Sequence, residues 1–144
     1  MNSPDAAVND DAALRTLADY YSAFSTLEIQ AVLPFFHEPS LLISPQGVFA
    51  APTFAAVAAV FTPTMEALRT REFGRSELSV RHVKSLSASE TLVTGVAIRY
   101  KRNGQELERV GVTYALHKTD AGWKIAVIIL HDADQRPPHD ESSR

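Results

Sequence analysis

The chain has 144 residues, 14 of them Lys or Arg and 17 Asp or Glu, for a formal net charge of −3, and 45% are hydrophobic. That is the length of one domain, able to bury roughly 70% of the surface its unfolded chain exposes, so the core needs no covalent staples. With no cysteine, disulfide scaffolds, thiolate zinc sites, iron–sulfur clusters and cysteine nucleophiles are excluded.

Residues 1–9 and 135–144 are polar and lack a hydrophobic period, which reads as two flexible tails around a single domain over residues 10–134. Leu14, Leu17, Ala18, Tyr21 and Phe24 recur at helical spacing behind Asp10-Asp11, an acidic start that suits a helix N-terminus. Ser25-Thr26-Leu27-Glu28 reads as a capping box for a short second helix closed by Leu33-Pro34. Leu41-Leu42-Ile43, the turn Ser44-Pro45-Gln46-Gly47 and Val48-Phe49 predict a short hairpin. Pro52 suits the first turn of a third helix through Phe54, Val57, Ala58 and Phe61, which Pro63 should kink or restart. From Glu77 the pattern becomes alternation, predicting strands over about 77–85, 91–101, 105–118 and 123–132. Helices first and a sheet after make an α+β arrangement.

The turns decide which residues share a face. A three-residue loop Arg102-Asn103-Gly104, with the glycine left-handed, pairs Val96 with Val110, Thr94 with Val112 and Leu92 with Tyr114. The same loop type at Asp120-Ala121-Gly122 pairs Tyr114 with Ile128, Val112 with Leu130 and Val110 with Asp132. One face then carries Val96, Ile98, Tyr100, Val112, Tyr114, Ile128, Leu130 and Asp132. The other carries Ala97, Thr113, Ala115, Ile125, Val127 and Ile129, too apolar for water and too small for a core of its own, which predicts a homodimer through that outer face.

In this order and spacing the polar helix break before Glu28, the hairpin Ile43-Ser44-Pro45-Gln46-Gly47-Val48 and the closing Lys118-Thr119-Asp120-Ala121-Gly122-Trp123-Lys124-Ile125 resemble the nuclear transport factor 2-like superfamily. Within it they resemble the SnoaL-like polyketide cyclase and ketosteroid isomerase group, over about residues 11–132. The resemblance implies a cystatin-like cone, a curved mixed sheet wrapped against three N-terminal helices with a ligand pocket at the open end, and dimers packed through the sheet. Tyr20 stands where ketosteroid isomerases place a tyrosine hydrogen-bond donor. Ser44 replaces the carboxylate base, and Tyr114 replaces the protonated aspartate. Serine without a base of its own does not take a carbon-bound proton near neutral pH, so the resemblance does not extend to steroid isomerisation.

Four residues are candidates for chemistry. His82 follows Leu78 and Val80 on the apolar face of its strand, and is either a titratable ring in the cone or a rim histidine bonded to a backbone carbonyl. Aligned with Leu92, it would come within reach of Tyr114 two strands away. Tyr20 and Tyr114 would orient polar atoms. Asp132 is a carboxylate on the predicted pocket face and also the end of its strand, where a solvated rim residue is expected. Tyr21, Phe24, Phe36 and Phe54 read as core or as ligand wall, and either Tyr20 or Tyr21 can face the cavity. Arg99 and Arg109 are expected outside, paired with Glu106 or Glu108.

No His-Glu-x-x-His, carboxylate cluster or Gly-rich phosphate loop is present, so neither metal nor cofactor is expected. Basic residues are interleaved with acidic ones, which argues against nucleic acid, and no apolar run reaches the ~18 residues of a membrane span. Met1-Asn2-Ser3-Pro4-Asp5 lacks the basic start of a secretory signal, so a cytoplasmic protein is expected. The favoured function is binding of a small, mainly apolar organic ligand. The alternatives are a cofactor-independent cyclase, isomerase, dehydratase or hydrolase using His82 and the pocket tyrosines, and a dimeric protein-interaction module.

Overall fold

The computed structural model describes residues 4–133; residues 1–3 and 134–144, including the expected C-terminal tail, lie outside it. Helix α1 (Pro4–Phe24) starts earlier than its sequence suggests. Residues 4–9, expected as tail, are helical, and the Asn9 side-chain amide donates to the Ala88 carbonyl at 3.2 Å. The buried stripe of α1 is Ala13, Leu17, Tyr20, Tyr21 and Phe24, spaced as a 3.6-residue period demands, while Ala18 is exposed.

The expected capping box does not form. Ser25 Oγ donates to the Tyr21 carbonyl at 2.8 Å and accepts from the Ser76 N–H at 2.9 Å, which ties the helix end to the sheet. A short α2 (Ile29–Val32) and a 3₁₀ turn (Leu33–Phe35) follow. Strands β1 (Phe36–Ser44) and β2 (Gly47–Ala51) make a longer hairpin than expected. Helix α3 (Phe54–Thr70) is capped by Thr53, whose Oγ1 accepts from the Ala56 N–H at 3.2 Å. It does not restart at Pro63, because Met65 and Leu68 beyond the proline are buried and hold the chain in helical register.

Four long strands complete the molecule: β3 (Phe73–Ser87), β4 (Glu90–Lys101), β5 (Glu106–Thr119) and β6 (Gly122–His131). The sheet order is β2-β1-β6-β5-β4-β3, antiparallel throughout except for the parallel pair β1–β6. The fold is therefore α+β, three helices against a six-stranded curved mixed sheet. The core lies between the helices and the inner face of that sheet.

Two irregularities set which residues reach the core. Between β4 and β5 the loop Arg102-Asn103-Gly104 forms as expected, with Gly104 at φ 93° and the Lys101 N–H on the Gln105 carbonyl at 2.8 Å. Farther along, Tyr100 pairs with Glu106 but Arg99 pairs with Glu108, so Leu107 is an extra residue. Val93 therefore faces Tyr114, Gly95 faces Val112 and Ala97 faces Val110, in place of the expected Leu92–Tyr114, Thr94–Val112 and Val96–Val110 pairs. One step of register turns a strand over. Ala97 and Arg99 point inward; Val96, Ile98 and Tyr100 point outward.

Between β5 and β6 the opposite happens. Thr119 pairs with Gly122 across a two-residue turn, not the expected three-residue loop, and an irregularity at Ala126 restores the expected Tyr114–Ile128 and Val112–Leu130 pairs. Ile125, expected outside, lies before that irregularity, pairs with Leu116 and is 0% exposed. On β3, His82 pairs with Thr94, not with Leu92, past a third irregularity at Arg81. Thr94 points outward, and so does His82. Among the described residues no helix is long and apolar enough to cross a membrane.

Candidate functional site

A cavity of about 220 Å³ opens between the C-terminal half of α1, the middle of α3, the β1–β2 hairpin and the inner face of β4–β6. Each wall follows from a local pattern. Tyr20, Tyr21 and Phe24 share the buried stripe of α1, Val60, Phe61 and Thr64 lie one turn apart on α3, and Ala97, Arg99, Val110, Val112, Tyr114, Ile128 and Leu130 alternate along the inner face. Leu42, Ser44, Gln46 and Phe49 close the hairpin side.

At its back the Tyr21 and Tyr114 hydroxyls share a 2.6 Å hydrogen bond. The Tyr20 ring packs edge-on against Tyr21, Phe36 and Tyr114, with centroids 5.4, 5.7 and 6.2 Å away. Burial pushes the Tyr21 hydroxyl up to about 12, against the opposing pull of its hydrogen bond to Tyr114 and of the Arg99 charge. Burial pushes Tyr20 and Tyr114 up as well, and the neighbouring tyrosines add to it. All three are neutral hydroxyls at physiological pH. They can donate and accept hydrogen bonds, but they are not bases.

Arg99 supplies the charge. Its Nη1 donates to Glu108 Oε2 at 2.6 Å, the carboxylate's other oxygen accepts from Arg71 Nη1 at 2.8 Å, and the Arg99 guanidinium lies 5.6 Å from the centre of the Phe24 ring. Burial pushes the Glu108 carboxyl up, and the hydrogen bonds and charges of Arg71 and Arg99 outweigh it, leaving it below the usual carboxylate value. The described residues lining the cavity include no carboxylate and no imidazole.

Of the residues singled out from the sequence, the structure brings Tyr20, Tyr21, Phe24, Ser44, Val112, Tyr114, Ile128 and Leu130 to the cavity. Both Tyr20 and Tyr21 line it, so the helix presents the two side by side. His82 is exposed on the outer face, and its expected approach to Tyr114 does not occur. Asp132 is exposed beyond the end of β6, because the β5–β6 ladder stops at the Gly111–His131 pair, one residue short of the expected Val110–Asp132 pair. Val96, Ile98 and Tyr100 lie on the outer side, where Tyr100 carries the Arg75 guanidinium 4.1 Å above its ring. Phe36 is buried in the core behind Tyr20, and Phe54 sits half-buried at the start of α3 with its N–H on Glu38 Oε2 at 2.6 Å. Of the predicted dimer residues, Ala97 lines the cavity and Ile125 is core, while Thr113, Ala115, Val127 and Ile129 are on the outer face.

Sequence reasoning missed Arg99 as a cavity residue, although Glu108, with which Arg99 pairs, was one of the two partners it offered. It also missed Ala97, Phe61 and Thr64. The signal for α3 was available, since Thr64 follows Phe61 and Val60 at helical spacing past Pro63. No signal existed for Arg99 and Ala97, whose side depends on the extra residue Leu107.

A family model described as NTF2-like protein (DUF6841) matches residues 10–133. Among solved structures, the chain is similar to a ketosteroid isomerase-like protein from Erwinia carotovora atroseptica, with 18% identity, 89% of this chain and 98% of that chain covered, and a TM-score of 0.67. It is similar to an NTF2-like protein with a cystatin-like fold from Novosphingobium aromaticivorans, at 13% identity with 100% and 99% covered and a TM-score of 0.69. A third likeness is to an NTF-2 like protein of unknown function from Shewanella oneidensis, at 21% identity with 85% and 98% covered and a TM-score of 0.66. Among curated proteins none matches the chain in sequence. At these identities the likenesses are likenesses of fold.

Proposed function

The chain belongs to the NTF2-like family DUF6841, and from that premise we propose that it binds a small, mainly apolar organic molecule in the cavity and does not turn it over. The observation that carries the reading is the lining itself. Aromatic and aliphatic walls enclose a few placed polar groups, the composition of a ligand pocket, while the described lining residues include nothing that takes a proton near neutral pH. Tyr20, Tyr21 and Tyr114 offer hydroxyls to a polar atom of the ligand. His82, which an enzymatic reading needs, lies on the other side of the sheet.

The homodimer belongs to the same proposal. Thr113, Ala115, Val127 and Ile129 form a half-buried, largely apolar strip on the outer face, and a second copy of the chain would cover it.

A thermal-shift screen of apolar small molecules tests the pocket. A ligand at 100 times its Kd stabilises the folded chain by about 2.7 kcal/mol, and Ala97→Phe, which fills the cavity, should abolish that rise while the chain stays folded. A screen in which no compound raises Tm, or a rise that Ala97→Phe leaves intact, rejects the reading.

A further inference from the structure

We infer that the ligand bears a carboxylate and that Arg99 receives it, an inference that rests on the pocket reading above. Arg99 reaches the cavity from β4 with its side chain 16% exposed, and its Nε is buried without a hydrogen-bond partner among the described residues. The charge around it does not balance. Glu108 is shared between two guanidiniums, Arg99 at 2.6 Å and Arg71 at 2.8 Å, so the cluster of three carries one positive charge in surplus. The Arg71 side chain is 45% exposed and water screens it. Arg99 faces the cavity, whose described lining residues include no carboxylate.

A buried guanidinium with a free donor is disfavoured until an acceptor completes it, and a carboxylate matches its geometry best. The Phe24 ring backs the guanidinium from 5.6 Å. The remaining walls are apolar, so the body of the ligand is apolar with the acid at one end. At interior packing density a 220 Å³ cavity takes about a dozen non-hydrogen atoms, the size of a phenyl-substituted short-chain acid.

The test is calorimetric titration of the full chain with ω-phenylalkanoates, from phenylacetate to phenylhexanoate, each beside its matching ω-phenylalkanol. The best-fitting acid should bind at least about tenfold more tightly than its alcohol. Arg99→Met should bring the pair to within about twofold by weakening the acid and sparing the alcohol. Glu108→Gln leaves Arg99 in place and removes its competitor, so the gap between acid and alcohol should widen. Equal binding of acid and alcohol by the unsubstituted chain, or an acid preference that survives Arg99→Met, overturns the inference and leaves the pocket reading standing. If Arg99→Met does not fold, Glu108→Gln decides, and an unchanged or narrower gap overturns it. No binding of any acid or alcohol in the series overturns the pocket reading and this inference together.

Discussion

On the inner face of the sheet, Tyr21 and Tyr114 share a 2.6 Å hydrogen bond enclosed by aromatic rings; on the outer face, Thr94, Thr113 and His131 form a partly buried chain of bonds at 3.2 and 3.1 Å. Both faces carry hydroxyls, aliphatic residues and a basic side chain. What separates them is not residue chemistry but extra residues such as Leu107 and Ala126, which reverse the side a strand presents. Inside, polar groups lose water and must find one another. Outside, the same groups keep partial access to solvent.

The largest effects come from forcing a charge onto one face or the other. Ile125→Arg places an unpaired charge at a fully buried position and should cost more than about 4 kcal/mol, enough to abolish a cooperative melting transition. Val127→Arg, two residues along on the outer face, should leave the monomer within about 1 kcal/mol of its original stability and shift the sedimentation profile of the proposed dimer to monomer. Equal damage by the two would show that Ala126 does not reverse the faces.

Removing one hydroxyl sharpens the contrast. Tyr114→Phe leaves the Tyr21 hydroxyl buried without its partner and should lower stability by about 1–3 kcal/mol in denaturant titration. High pH should act on the same pair. Tyr21 holds its proton up to about 12 in the folded chain against an ordinary 10.0, so its contribution is complete below pH 10 and is lost as pH rises toward 12. That loss is on the order of 2 kcal/mol, with Tyr20 and Tyr114 adding in the same direction. A denaturation midpoint that stays flat from pH 9 to 12 would contradict the burial of these hydroxyls. The smallest effect is expected outside: His82→Gln should change stability by less than about 0.5 kcal/mol and leave ligand binding as it was.

The helices, the four long strands and the cavity tyrosines were legible in the sequence because each rests on a local rule, 3.6-residue spacing in α1 or alternation from Glu77 onward. The Arg102-Asn103-Gly104 loop was legible too, since Gly104 supplies its left-handed conformation. Arg99 and Ala97 were not. Their orientation depends on Leu107, and an extra residue in an alternating strand leaves no mark while both neighbours remain compatible with either side. At Asp120-Ala121-Gly122 a misread loop and an unseen irregularity offset each other, which is why Tyr114 and Ile128 were paired correctly and Ile125 was placed on the wrong face. His82 was lost to the same cause at Arg81.

The parallel seam between β1 and β6 has a kinetic consequence. Strands β3 to β6 can zip together through short turns, whereas β1 finds β6 only after nearly the whole chain between them has been arranged, and that closure is entropically slow. Leu42 and Ile128 meet across the seam, and both line the cavity. The cavity is therefore complete only once this seam has closed, and a ligand that needs the finished cavity is expected to bind after the folding barrier has been crossed. In stopped-flow measurements a ligand should slow unfolding and leave refolding unchanged, so occupancy would lengthen the lifetime of the folded molecule without hastening its birth.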